Sequence, residues 1–389
     1  MSLRFASALS TNPQSASAVA ETAALIQEQL KIQPSLVVVF LSAHHAEAAK
    51  QIASELLAVF KTNNIIGCTG ESIVGVGTEI EMEPAMSVWA ACLPDTTVIP
   101  MQLEFVRTEG GSIVGWPDDL PNEWPNDAAL VVLGDPFSFP PELLLERTNE
   151  EHPGIPIIGG MASAASEPGD NRLICGEKAV AEGAVAVFVQ GGVSVRTVVS
   201  QGCRPIGEHY VITKAERNAI QELGGVPAYQ KLGQVFDTLP TREQQLLQRG
   251  LHVGRVVSEY QDTFEQGDFL IRNVMGIDQE SGAIVIGDYV RAGQTVQFHL
   301  RDWETADVEL KQLLGAAKGH DDSETAGALL FTCNGRGTRL FPEPNHDAEA
   351  IGDAYGQIPL AGFFAAGEIG PVGKKNFLHG FTASIAIFT

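Results

Sequence analysis

Hydrophobic positions along the chain fall into one pattern that is used three times. Residues 35–42, "SLVVVFLS", are apolar throughout and read as a buried strand. "AEAAKQIASELLAVF" (46–60) follows with apolar residues at helical spacing. Then come a short strand, "NIIGCTGES" (64–72), a glycine-rich turn, "VGVGTE", and another strand, "AMSVWAACL" (85–93). The second copy is "AALVVLGD" (128–135), the helix "PPELLLERTNE" with proline at its start, "IPIIGGMASAASEPGDNRL" and "GAVAVFVQ" (183–190). The third is "GALLFTCNGRG" (327–337), the helix "DAEAIGDAYGQ", "IPLAGFFAAGEIGPVGKKN" and "FTASIAIF" (381–388). The steps "IIGCTGES", "IPIIGGMAS" and "IPLAGFFAAGE" correspond in place, as internal repeats do.

The stretch between the second and third copies has a different texture. "GVSVRTVVSQGCRPIGEHYVITKAERNAIQEL" alternates as strands do, and "VPAYQKLGQVFDTLPTREQQLLQRG" reads as helices interrupted by proline and glycine. "GDFLIRNVMGIDQESGAIVIGDYVRAGQTVQFHLRD" gives strands joined by turns, and the helix "ADVELKQLLGAAKG" leads into the third copy. The fold class is α/β: mixed sheets packed as an α/β sandwich from repeated strand–helix–strand–glycine turn–strand units. A boundary near Gly202 divides the 389 residues into two domains, 1–201 and 202–389. In such sheets the strand ends and glycine turns gather at one end, a natural place for a pocket.

Charge narrows the function. With 25 basic and 48 acidic residues the net charge is −23, which repels nucleic-acid phosphates and anionic membranes. The acidity concentrates in segments such as "PDDLPNEWPND" (117–127) and "GHDDSET" (319–325), read as solvated surface. No run reaches membrane-span length, and the N-terminus lacks a signal-peptide pattern. Cys68, Cys92, Cys175, Cys203 and Cys333 are odd in number and without a CxxC, so they read as reduced thiols in a cytoplasmic protein. No cofactor is expected, because the phosphate and dinucleotide fingerprints both fail: "GEIGPVGKK" has the wrong spacing for a P-loop, and "GVGTEI" and "GRGTRL" lack a third glycine. There is no HExxH, GxSxG or Cys/His metal spacing, and the adjacent His44 and His45 read as a solvated helix start.

Two polar clusters follow apolar strands. In "LLFTCNGRGTRLF", Cys333, Asn334 and Arg336 stand at a strand end with backbone space opened by glycine. In "FFAAGEIGPVGKKNFLHGFTA" (363–383), a glycine-rich loop carries Glu368, Asn376 and His379. The planar fork of Arg336 suits a carboxylate and Glu368 suits an ammonium group, so the two could hold a zwitterion; they could equally pair with each other. Cys333 and His379 also admit a nucleophile-and-base reading, with Cys68 the matching thiol of the first copy.

These residues carry a resemblance. "FTCNGRG" together with "GFFAAGEIGPVGKKNFLHGFTASIAIF" (362–388) resembles the C-terminal half of FIST-domain proteins, and "IIGCTGESIVGVGTEIE" and "IPIIGGMASA" resemble the N-terminal half. The resemblance implies a FIST N-like domain, a FIST C-like domain and a sensory, small-molecule-binding role in intracellular signal transduction, with amino acids or related carboxylates as ligands. The expected ligand-binding residues are Glu71 and Ser72 in the first half and Cys333, Asn334, Arg336, Glu368, Asn376 and His379 in the second, the latter six as members of the family's C-terminal motif. No output domain is read in the sequence, so a separate signalling protein is the expected partner. A Cys/His enzyme acting on a small acyl or carbonyl substrate, and a ligand-free interaction module, stand as alternatives.

Overall fold

In the computed structural model, residues 2–108, 110–260, 263–264, 266–318 and 327–389 are described; the acidic segment 319–325 lies outside them. The chain forms two compact units, residues 1–200 with 310–389, and residues 201–309.

The first unit holds all three copies. Copy one comprises β1 (Arg4–Ser10), α1 (Ser15–Leu30), β2 (Leu36–Ser42), α2 (Ala49–Phe60), β3 (Ile65–Gly70), the hairpin β4 (Ser72–Gly75) and β5 (Thr78–Glu81), and β6 (Met86–Cys92). Copy two comprises β7 (Thr96–Val106), β8 (Ser112–Val114), β9 (Ala129–Gly134), α3 (Pro141–Glu151), β10 (Ile157–Met161), the hairpin β11 (Leu173–Cys175) and β12 (Lys178–Val180), and β13 (Ala184–Gly191). Copy three opens with β14 (Val195–Ser200), after which the chain enters the second unit.

The second unit is a closed antiparallel barrel. Its strands are β15 (Cys203–Glu216), β16 (Ala219–Leu223), β17 (Val226–Pro227), β18 (Leu251–Val256), β19 (Phe269–Asp278), β20 (Ala283–Ile286) and β21 (Thr295–Arg301). They follow the order β15-β21-β18-β19-β20-β16-β17, and an additional β15–β16 pairing closes the ring and removes its edges. Ile206, Ile212, Val253, Ile284 and Phe298 fill its core. The helices α4 (Ala228–Thr238) and α5 (Thr241–Arg249) are separated by Leu239 and Pro240, as the proline signal predicts.

Copy three resumes with α6 (Trp303–Lys318), β22 (Gly327–Cys333), α7 (His346–Tyr355), β23 (Leu360–Ala365), the hairpin β24 (Glu368–Val372) and β25 (Lys375–His379), and β26 (Ala383–Phe388). The glycine-rich "loop" of the sequence reading is thus this hairpin, turning at Gly373 (φ 62°). Gly370 serves packing there: a Cβ on it would lie 2.6 Å from Ser384 Oγ and from Val199 Cγ2.

Each copy builds one mixed sheet, and each lends its hairpin to another copy's sheet. The orders are β1-β6-β2-β3-β11-β12, β25-β24-β10-β9-β13-β7-β8 and β14-β26-β22-β23-β4-β5. In every copy the two strands that flank α2, α3 or α7 pair in parallel: β2 with β3, β9 with β10, and β22 with β23. The hairpin of copy one joins copy three, that of copy three joins copy two, and that of copy two joins copy one. Three corresponding glycines mark this register. A Cβ on Gly67, Gly159 or Gly362 would fall 2.2, 1.8 or 1.9 Å from the carbonyl oxygen of Val39, Val132 or Leu330, so no side chain fits. The inner faces of all three sheets share one core, including Phe40, Trp89, Val187, Phe331 and Phe363. Helices α1 and α2, α3, and α6 and α7 cover the respective outer faces.

Candidate functional site

Counting three residues on from the carbonyls that abut those glycines (39 to 42, 132 to 135, 330 to 333) gives Ser42, Asp135 and Cys333 at corresponding strand ends. The first two are occupied locally. Ser42 Oγ accepts the Ala85 N–H at 3.0 Å. Asp135 accepts Asn171 Nδ2 at 3.0 Å and Ser138 Oγ at 2.7 Å. The Cys333 end instead opens onto a polar cluster.

That cluster lies where the three copies meet. Ser163, just after β10, accepts the Glu71 N–H at 2.9 Å, donates its hydroxyl to the Phe364 carbonyl, and gives its N–H to the Thr69 carbonyl at 3.1 Å. Glu71 accepts two nitrogens of Arg339 at 2.8 and 2.9 Å, and the same guanidinium donates to the Asn334 carbonyl at 2.7 Å. This pair faces solvent, with side chains 46% exposed at Arg339 and 29% at Glu71. Asn334 Oδ1 is enclosed and has no hydrogen-bond partner among the described residues. Phe381 lays its ring over Gly335 and adopts φ 60°, a left-handed conformation that costs an aromatic residue on the order of 1–3 kcal/mol.

Beneath lie Cys333 and Glu368. Glu368 is fully buried and accepts the Thr382 N–H at 2.9 Å. Burial, and then the adjacent Glu368 carboxylate, push the Cys333 thiol up to about 12. It is therefore protonated at neutral pH, whereas a nucleophilic cysteine needs a lowered value. His379 Nε2 sits 2.9 Å from the Gly370 carbonyl oxygen. Cys68 does not match Cys333: it lies one residue after Gly67 on β3, the place Phe363 holds on β23, where it is enclosed and burial raises its thiol well above the ordinary range.

Other sequence candidates are engaged elsewhere. Arg336 is fully buried and grips Asp347 through Nε and a terminal nitrogen, both at 2.7 Å. Its guanidinium is turned to Asp347, at the start of α7, and away from solvent. Asp347 also accepts Thr332 Oγ1 at 2.6 Å and lies 2.9 Å from His346 Nδ1, while Glu79 accepts the Asp347 and Ala348 N–H groups at the helix start. Although burial works against it, the Arg336 charge holds the Asp347 carboxyl below the usual range. Asn376 is a latch: its side chain accepts the Ile157 N–H at 2.8 Å and donates to the Ile155 carbonyl at 2.9 Å. Ser72 Oγ accepts the Met82 N–H at 3.2 Å within the first hairpin. His45 is buried rather than solvated, its Nδ1 2.9 Å from Ser15 Oγ, because a short 3-10 turn tucks it under α1.

The structure thus brings Glu71 and Asn334 together through Arg339, with Cys333 and Glu368 below. Arg339, Ser163, Glu79 and Asp347 escaped the sequence reading. Arg339 lies inside the same strand-end motif, three residues beyond Arg336. The acidic Asp347 at a helix start was a capping signal. Among the described residues, no group of three or more His, Cys, Asp or Glu is arranged to hold a metal. No described helix is long and apolar enough to cross a membrane.

Residues 35–226 match the FIST N domain and residues 228–371 the FIST C domain. An uncharacterized protein of Mycobacterium tuberculosis is 43% identical over 388 residues, covering 99% of this chain and 100% of its own. An uncharacterized protein of Mycobacterium bovis is 41% identical over 388 residues, with 99% of each chain covered. FIST domains are generally considered sensory modules of signal transduction. With both domains matched in order over most of its length, this chain belongs to the FIST family.

Proposed function

We propose that the protein is an intracellular sensor of a small carboxylate, an amino acid or a close relative, which seats at the junction of the three copies and is read by a separate signalling protein. The observation that carries this is the solvent-facing Glu71–Arg339 pair beside the unpartnered Asn334 Oδ1. An exposed ion pair contributes only about 0–1 kcal/mol, so a ligand can open it at little cost. Arg339 then takes the ligand carboxylate as a bidentate fork, Glu71 takes an ammonium group, and Asn334 Oδ1 gains a donor. Arg339, rather than the buried Arg336, is the carboxylate partner in this reading. None of the five cysteines is in a disulfide, in keeping with a reducing compartment.

The test is a thermal-shift screen of the purified protein against amino acids and small carboxylates. A ligand at a hundred times its Kd adds about 2.7 kcal/mol of stability. A stabilising ligand whose effect disappears in Arg339→Gln is expected. A ligand that stabilises wild type and Arg339→Gln alike would place recognition elsewhere.

A further inference from the structure

The three copies differ in what covers the outer face of each sheet. In copy one, α1 links β1 to β2 and packs on the sheet through Val19, Ile26 and Leu30. In copy three, α6 precedes β22 and packs through Leu310 and Leu314. Among the described residues, copy two has no helix in the corresponding connection between β7 and β9. Its residues 115–128 form an irregular segment with two Trp-Pro steps, "GWPDDLPNEWPNDA". Trp124 covers part of the sheet, edge-on to Phe188 at 5.2 Å, and stacks on the His152 ring at 4.3 Å. Beside it remains a cleft of about 370 Å³.

That volume falls at the small-molecule end of the range for binding sites, and is too narrow for a helix about 10–12 Å across. One part of its lining is apolar, Trp116, Pro117, Leu120, Trp124 and Leu144, and the rest is polar, with Asn122 and Thr148 beside the charged residues. Arg147 is the single cation of the lining. One terminal nitrogen of Arg147 donates to the Gly111 carbonyl at 2.8 Å, and the others have no partner among the described residues. Glu151 stands one turn further along α3 at the exposed rim, and no ion pair within 4 Å joins it to Arg147 among the described residues. His152, whose imidazole is kept toward its neutral form by burial, completes the wall without adding charge.

We propose that this cleft is a second binding site, for a small monocarboxylic acid with an aromatic or branched apolar body. The body lies between Trp116 and Leu144, and the carboxylate takes the open edge of the Arg147 guanidinium. Glu151 at the rim repels a second negative charge, so a dicarboxylate is disfavoured. The site is independent of the three-copy junction.

Two of the four tryptophans line the cleft, so intrinsic fluorescence reports its occupancy. The full chain is titrated with 3-phenylpropionate, with the matching alcohol and amine, and with phenylsuccinate. The acid is expected to give a saturable change at concentrations up to about 10 mM, and each of the other three to bind roughly tenfold more weakly or worse. Arg147→Gln should erase the preference for acid over alcohol, and Arg339→Gln should leave it intact. No saturable change with the acid, an amine that binds as well, or a preference that survives Arg147→Gln would each overturn the proposal.

Discussion

Arg336 and Glu79 illustrate how burial decides what a charged residue can do. Arg336 touches no solvent and is held from two sides by one carboxylate, so its role is to tie the end of β22 to the start of α7. Removing it leaves Asp347 charged in the interior. Arg336→Ala is expected to cost about 3–5 kcal/mol in denaturant unfolding. Glu79 is pushed up to about 8 by burial first and by the Asp347 charge second. Its folded value lies above its unfolded one, so the stability it contributes is complete below about pH 4.5 and is lost as pH rises through about 8. Between those values stability should fall by up to about 1.4 kcal/mol per pH unit. Asp347 acts in the opposite direction, and only in acid. Glu79→Gln keeps an acceptor for the helix start and should flatten the decline; an unchanged pH profile would show that Glu79 is ionised throughout.

At the scale of elements, the three strand–helix–strand units were legible because fully apolar strands and 3.6-residue periodicity are strong local signals. The correspondence of the three glycine steps was legible too, and its cause is now physical: each glycine abuts a carbonyl of the neighbouring parallel strand. The hairpins were not legible as strands, since glycine, proline and charged residues depress strand propensity and their partners lie in another copy. Asn376 shows why the site was only half readable. It belongs to the same motif as Glu368, yet it locks β25 to the start of β10 through Ile157 and to the backbone just before it through Ile155. Asn376→Ala should leave those groups unpaired and cost about 1–3 kcal/mol, without altering ligand affinity at the junction. Spacing cannot separate such a latch from a ligand contact, because both are polar residues at strand ends.

Across the whole first unit, the exchange of hairpins makes each sheet depend on two copies, and it draws Glu71, Ser163 and Cys333 from three distant stretches to one junction. No local pattern announces that meeting; it follows from which sheet each hairpin joins. The barrel enters between β14 and α6, and its closure through β15 and β16 was likewise invisible in a sequence that only alternates. The central claim is that the junction holds the ligand through Arg339 and Glu71. Its most direct test is calorimetric titration of the ligand found by screening into wild type, Arg339→Gln and Glu71→Gln, with unfolding midpoints measured in parallel. The account predicts that both substitutions weaken binding by roughly tenfold or more while the exposed pair's loss shifts stability by only about 0–1 kcal/mol. Unchanged affinity in both variants would contradict it.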